Sequence, residues 1–164
     1  MEKLLLSIDV ESDGLLGEAF AVGAVVINQQ TASIIDQFEG KIDIKLTSGF
    51  VKKEVLPKLK TIKTFENQEM LDLAFYSFYK KYSSCEKLVD AGFPVETNFL
   101  RRVFNRVEKP IMPYPLYDLI SVLRAKNLDP MLDRFKYLNI DLKKHHPKDD
   151  ALASGLVYLK LLKE

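Results

Sequence analysis

Three apolar segments follow one another at the start of the chain, with too little sequence between them for a helix. They span Lys3 to Val10, Ala19 to Asn28 and Ser33 to Ile42, and Asp13-Gly14 supplies a turn after the first. Because the links are too short for a crossover helix, neighbouring strands must run antiparallel. The pattern predicts a three-stranded antiparallel meander.

The remainder of the chain alternates between helical and strand patterns. Apolar residues recur at helical spacing from Phe65 to Tyr82, a short buried strand is predicted at Lys87 to Ala91, and Pro94 opens a helix that runs through Phe104. Another short strand is predicted around Pro115 to Leu119. Further helices are predicted at Leu119 to Ala125, Met131 to Leu138 and Pro147 to Leu162.

A strand that follows a helix implies a crossover connection. The sequence therefore predicts an α/β fold with a mixed sheet, in which the antiparallel meander is followed by parallel strands and helices flank the sheet. No linker or repeat is visible, so we expect one domain over residues 1–164.

Composition limits the classes of function open to this chain. Its 164 residues are 47% apolar, enough for one sizeable core, and the 24 basic and 23 acidic residues nearly cancel. This balance excludes a strongly basic nucleic-acid clamp, so any polyanion must be held by local patches. The single cysteine, Cys85, excludes an intrachain disulfide and a zinc site made of cysteines. No apolar run is long enough for a secretory signal or a membrane span, so we expect a soluble cytoplasmic protein.

Two carboxylates, Asp9 and Glu11, lie two residues apart on the first predicted strand. Side chains alternate along a strand, so both project from the same face, about 7 Å apart. Like charges on an apolar strand repel each other unless a cation lies between them. The spacing indicates a metal site, and the alternative is that the strand ends before Asp9 and both acids are solvated.

A second polar cluster lies at the predicted start of the last helix. Pro147 fits the first helical turn, which places Asp150 about one turn into the helix and His145 in the loop ahead of it. The small residues that follow, from Ala151 to Gly155, would let this helix lie close to the sheet and bring Asp150 near the first strand. The alternative is that Asp149 and Asp150 only complement the helix dipole.

Together the two motifs resemble the DEDDh family of 3′–5′ exonucleases, which have a ribonuclease H-like fold. The family begins with an Asp-x-Glu strand, matched here by Asp9 to Gly14, and ends with a His, four residues and an Asp, matched by His145 and Asp150. His146 is one place too late for that spacing. The resemblance extends from the first strand to the last helix and agrees with the predicted order of elements.

The middle motif of the family is altered in this chain. The family places an Asp just after an aromatic residue at a helix start, and Glu96 takes that position here, without the customary His-Asn before it. Asp90 competes for the role, because it ends the preceding strand at the edge where open α/β sheets bind ligands. Either residue or both could line the site. The alternatives are a first-turn acid stabilised by the helix dipole for Glu96 and a polar strand end for Asp90.

The resemblance implies a 3′–5′ exonuclease that uses two divalent cations, Mg²⁺ or Mn²⁺, and releases nucleoside 5′-monophosphates. Hard divalent ions prefer carboxylate oxygens, and two of them can neutralise a phosphodiester under attack. His145, whose unperturbed pKa is near neutrality, would take the proton from the attacking water. The metal ligands that it implies are Asp9, Glu11, Asp150 and one or both of Glu96 and Asp90.

The expected partner is a nucleic acid with a single-stranded 3′ end. Candidate substrate-binding residues are Ser12, Lys144, Arg101 and Phe93, the last of which could stack on a terminal base. The alternatives are a solvated face for the basic residues and core packing for Phe93. A homodimer and the choice between RNA and DNA stay open. The competing function, motivated by the altered middle motif, is a nucleic-acid-binding domain of the same fold with little or no activity.

Overall fold

Five strands form one mixed sheet in the computed structural model, which describes residues 2–163. The sheet order is β3-β2-β1-β4-β5, in which β1, β2 and β3 pair antiparallel and β1, β4 and β5 pair parallel. An α/β fold with a meander followed by parallel strands is therefore confirmed. The strands are β1 (Leu4–Ser12), β2 (Ala19–Asn28), β3 (Ile34–Lys41), β4 (Glu86–Val89) and β5 (Leu116–Asp118).

Five helices flank the sheet, and capping residues move two of their starts from the predicted positions. Asn67 accepts a hydrogen bond from the Met70 N–H, so the first helix begins at Gln68 rather than Phe65. Asp133 caps the fourth helix in the same way. Within residues 2–163, no helix is both long and apolar enough to cross a bilayer. The helices are α1 (Gln68–Lys81), α2 (Thr97–Asn105), α3 (Leu119–Ala125), α4 (Arg134–Leu138) and α5 (Pro147–Leu161), with shorter helical turns at Val51–Val55, Leu56–Leu59 and Gly92–Glu96.

Alternate residues of β1 face two separate cores. Leu6, Ile8 and Val10 pack in the cluster that contains α1 and α2, whereas Leu5 packs in the cluster that contains α3 and α5. Each fully buried Leu or Ile stabilises the fold by about 1.5–3 kcal/mol. The same alternation turns Asp9 toward the α5 side of the sheet, because Asp9 has the parity of Leu5.

Helix α5 lies directly on the sheet because two glycines leave room for it. Gly23, the partner of Asp9 in the β1–β2 pairing, lies under the first turn of the helix, and a Cβ there would come within 2.2 Å of the Lys148 backbone nitrogen. A Cβ on Gly155, within the helix, would come within 2.5 Å of the Ile27 Cδ1 atom. The same Cβ would come within 3.2 Å of the Ser7 Cβ on β1, so the predicted close approach of this helix to the first strand is present.

Candidate active site

Three carboxylates converge where the first turn of α5 meets β1. One ligand oxygen from each of Asp9, Glu11 and Asp150 lies within 4.8 Å of the other two. The strand β1 continues through Ser12, so both of its acids are strand residues and not part of a solvated turn. The Oδ2 atom of Asp150 is buried and has no hydrogen-bond partner within residues 2–163. The structure therefore brings together the two motifs that the sequence indicated.

Burial, followed by neighbouring negative charge, raises the pKa values of all three acids. Burial, followed by the charge of Asp150, raises the pKa of Glu11 to about 7, although the nearby Lys58 opposes the effect. Burial also raises the pKa of Asp150 to about 7. The pKa of Asp9 is raised well above its usual value by burial and then by the charges of Asp150 and Glu11. At neutral pH this site therefore stabilises added positive charge, whether protons or a cation.

A fourth acid, Glu96, borders this cluster at the end of the turn Gly92–Glu96. It is only 6% exposed, and burial together with the charges of Asp90 and Glu11 raises its pKa to about 8. Phe93 has an extended backbone, with φ of −143° and ψ of 146°, and the Thr97 N–H donates a hydrogen bond to the Pro94 carbonyl. The helical backbone that continues into α2 therefore starts at Pro94, as predicted. The turn directs Glu96 inward, toward the other acids.

Asp90, the competing acid, forms an ion pair with Arg134. Its two carboxylate oxygens accept hydrogen bonds from Arg134 Nε at 3.0 Å and Nη2 at 3.1 Å, and Oδ1 also accepts one from Ser154 Oγ at 2.8 Å. Such a two-pronged arginine contact neutralises a carboxylate and fixes its orientation. Asp90 lines the same cavity as Asp9 and Asp150, but its charge is compensated within the protein.

His145 lines an open cavity of about 290 Å³ together with Asp9 and Asp150. Its backbone is left-handed, with φ of 62°, and its ring meets the Phe50 ring edge-on at 5.4 Å between centroids. Burial, followed by the charges of Lys58 and Lys144, lowers the pKa of His145 below its usual value. The imidazole is therefore neutral at neutral pH and can accept a proton.

The neighbouring His146 faces away from this cavity. It is 5% exposed, and its Nε2 atom lies 3.9 Å from Oε2 of Glu39 on β3. Its backbone carbonyl accepts the first hydrogen bond of α5, from the N–H of Asp150. His146 thus belongs to the packing between α5 and the sheet, and the spacing argument that favoured His145 agrees with this geometry.

The four predicted substrate-binding residues occupy different surroundings. Ser12 Oγ donates a hydrogen bond to the carbonyl of Gly14 in its own turn, at 2.8 Å. Lys144 lines the cavity of His145, and its Nζ lies 3.4 Å from Asp133 Oδ2. Arg101 is exposed and lines a separate depression, and Phe93 is 73% exposed, so it is not a core residue.

Asp13 holds a loop against the site, a role that the sequence did not reveal. Its carboxylate accepts hydrogen bonds from the Thr47 N–H at 2.6 Å, the Thr47 hydroxyl at 2.7 Å and the Ser48 N–H at 2.8 Å. These bonds lower the pKa of Asp13. They fix the loop that carries Phe50 to the ring of His145. Because the partners lie more than 30 residues apart, no local pattern signals the contact.

No protein-family model and no curated protein sequence matches this chain. Solved structures do match it. The nuclease domain of 3′hExo, described as a DEDDh family member and bound to rAMP, has a TM-score of 0.69 at 14% identity, over 99% of this chain and 92% of that chain. Exonuclease I has a TM-score of 0.72 at 17% identity, over 99% of this chain but only 41% of that chain.

A third matching structure, of a 3′-exonuclease that recognises the 3′ end of a histone mRNA stem-loop, has a TM-score of 0.71 at 13% identity, over 99% of this chain and 82% of that chain. All three alignments cover β1 through α5, the elements that carry the acids and His145. The chain therefore has the fold of the DEDDh 3′–5′ exonucleases, as the sequence resemblance predicted.

Proposed function

We propose that this protein is a metal-dependent 3′–5′ exonuclease that releases nucleoside 5′-monophosphates from a nucleic acid. The observation that carries the proposal is the convergence of Asp9, Glu11 and Asp150 within 4.8 Å, in a cavity lined by His145. The shared fold supports it. Structures with this fold include Escherichia coli exonuclease I in complex with a dA16 oligonucleotide, at 16% identity and a TM-score of 0.66.

The acidic cluster fits divalent cations. Its donors are carboxylate oxygens, the ligands that Mg²⁺ and Mn²⁺ prefer. One of them, Asp150 Oδ2, is buried without a hydrogen-bond partner in the described part of the chain. The raised pKa values of Glu11 and Asp150 support this fit, because acids with raised pKa values favour added positive charge. When bound, two such ions would neutralise the phosphodiester and activate water. We assign Asp9, Glu11, Asp150 and Glu96 as their ligands.

Glu96 is assigned as the fourth ligand because it makes no ion pair within residues 2–163, whereas Arg134 and Ser154 already bind the carboxylate of Asp90. A ligand change should raise the metal concentration needed for half-maximal rate, since the metal loses a charged donor. Glu96→Gln should raise this metal concentration strongly. Asp90→Asn should mainly lower the rate, because Arg134 loses its charged partner. The matched pair is compared by Mn²⁺ titration of hydrolysis. A larger metal requirement in Asp90→Asn than in Glu96→Gln would reverse the assignment.

His145 is assigned as the general base. Its neutral ring accepts the proton of the attacking water, and the edge of Phe50 holds the ring at one orientation. Burial, followed by the charges of Lys58 and Lys144, lowers its pKa, so the imidazole stays unprotonated until it accepts the proton of that water. The same two lysines place positive charge beside the cavity, where an anionic phosphate would enter.

The proposal is tested with the purified full chain and 5′-labelled single-stranded RNA and DNA in Mg²⁺, Mn²⁺ or EDTA. We expect stepwise shortening from the 3′ end, nucleoside 5′-monophosphates detected by chromatography, and no reaction in EDTA. Asp9→Asn should abolish the reaction, and Glu69→Gln, an exposed acid in the first turn of α1, should not. Tight binding without shortening in either metal would contradict the proposal and favour an inactive binding domain.

A further inference from the structure

Positive charge is concentrated in one stretch of this nearly neutral chain. Residues 45–63, here called the basic segment, contain six of the 24 basic residues and one of the 23 acidic residues, which leaves 18 basic and 22 acidic residues for the rest. The segment links β3 to α1. Its six lysines are Lys45, Lys52, Lys53, Lys58, Lys60 and Lys63.

Packing of the basic segment forces most of its lysines outward. Val51, Val55 and Leu59 are buried and form one side of the two successive helical turns between 51 and 59. Lys52 and Lys53 lie on the other side and are exposed. The apolar anchors therefore fix the position of the backbone, and the charges are presented to solvent.

The basic segment is one wall of the candidate active site. Phe50 lies against the ring of His145, and the loop before it is held by Asp13, two residues after Glu11. Lys58 is half-buried and close enough to Glu11 and His145 to lower the pKa of each. The positive surface thus begins beside the reacting groups and extends outward along the exposed lysines.

These lysines are free to bind an external anion. Within residues 2–163, Lys52 and Lys58 make no ion pair, and Lys53 pairs only with its neighbour Glu54, at 3.8 Å. Two arginines near the C-terminal end of α2 contrast with them. Arg102 and its neighbour Arg106 both bind the buried carboxylate of Asp72, at 2.9 and 2.7 Å. Their charge therefore stabilises the fold and is not available to a substrate.

We infer that the basic segment binds the phosphate backbone of the nucleic-acid strand on the 5′ side of the nucleotide that is removed. This inference rests on the proposed function, since it takes the acidic cluster as the site of cleavage. Lysine contacts to phosphates carry no sequence information. For a single strand, each such contact lowers the logarithm of the binding constant by about 0.7 for every tenfold rise in salt concentration. Binding should therefore strengthen with strand length, depend strongly on salt and be insensitive to sequence.

The first test measures binding without cleavage. Fluorescein-labelled dT12 is titrated with the full chain in EDTA at several KCl concentrations, and anisotropy gives the affinity. Removing two phosphate contacts in Lys52→Gln/Lys53→Gln should reduce the salt slope by about 1.4 and weaken binding roughly 25-fold at 0.1 M salt. The control is Lys80→Gln/Lys81→Gln, an exposed lysine pair in the last turn of α1, which removes equal charge and should leave the slope unchanged.

The second test uses hydrolysis in Mg²⁺. A dinucleotide has one phosphate, which lies at the site of cleavage and leaves none for the basic segment. The lysine variant should therefore lose at least ten times more kcat/KM on dT12 than on the dinucleotide. Equal losses on both substrates, or equal salt slopes in the two double variants, would overturn the inference. If no substrate is cleaved, the proposed function fails, and the binding test still decides whether the basic segment holds the strand.

Discussion

Replacing Asp150 by Asn should make the metal-free protein more stable at high pH. The pKa of Asp150 is about 7 in the folded protein and 3.8 when unperturbed. Between these values the folded state holds a proton that the unfolded state has released, so stability falls as pH rises from about 4 to 7 and stays low above that. Asn has no proton to lose, so the variant avoids this loss.

The gain in stability follows from the difference between the folded and unperturbed pKa values of Asp150. About three pKa units correspond to an upper limit of roughly 4 kcal/mol at pH 8, because one unit equals about 1.4 kcal/mol. Asp150 is partly exposed, and its neighbours can take up protons in its place, so we expect about 1–2 kcal/mol. In a domain of this size 1 kcal/mol moves the Tm by about 2–4 °C. The variant should therefore melt about 2–8 °C above the unchanged protein.

The assay is thermal unfolding followed by circular dichroism in EDTA at pH 5 and pH 8. The gain should be larger at pH 8 than at pH 5, and added Mn²⁺ should raise the Tm of the unchanged protein more than that of Asp150→Asn. Asp149→Asn is the control. Asp149 accepts a hydrogen bond from the Lys143 N–H, so this change weakens a native contact and should lower the Tm of the protein. A variant of Asp150 that melts at or below the unchanged protein at pH 8 would refute the reasoning.

Two further changes test the base and the docking of α5. His145→Ala should lower kcat by about 10²- to 10⁴-fold without raising the Mn²⁺ concentration that the reaction needs. His146→Ala should mainly lower the Tm. A larger loss of kcat in His146→Ala than in His145→Ala would mean that His146 is the base. Gly23→Ala should lower kcat because its Cβ would displace the first turn of α5, and with it Asp150, while Gly49→Ala, where a Cβ meets nothing within 4 Å, should leave kcat unchanged.

The pattern of apolar residues predicted some secondary-structure elements correctly, because their bounds depend on neighbouring residues alone. The bounds predicted for β2 and α3 agree with the structure, because an unbroken apolar run and a short helix after a strand leave little ambiguity. The orientation of the acids on β1 could be predicted because side chains alternate along a strand. The position of Asp150 in the first turn of α5 could be predicted because Pro147 marks the start of that helix. Their convergence followed from the family resemblance together with the small residues of α5.

Contacts across long stretches of chain could not be predicted in this way. The sequence left Asp90 and Glu96 as competitors, and the proposed choice of Glu96 rests on the contacts of Asp90 with Arg134 and Ser154, which lie 44 and 64 residues further along the chain. The bonds from Asp13 to Thr47 are of the same kind. Neither contact has a periodicity or a spacing that sequence alone could reveal, because each depends on how loops from different parts of the chain meet.

The acids of this site are carried by elements that apolar residues anchor separately. Asp9 lies between Ile8 and Val10, which pack in the core on the opposite face of β1, and Glu96 precedes a helix held by buried Phe99. Changing either acid to its amide therefore removes repulsion but none of this packing. For that reason Asp9→Asn and Glu96→Gln should unfold no more easily than the unchanged protein in EDTA. A loss of hydrolysis in them would then report on metal and substrate, not on folding.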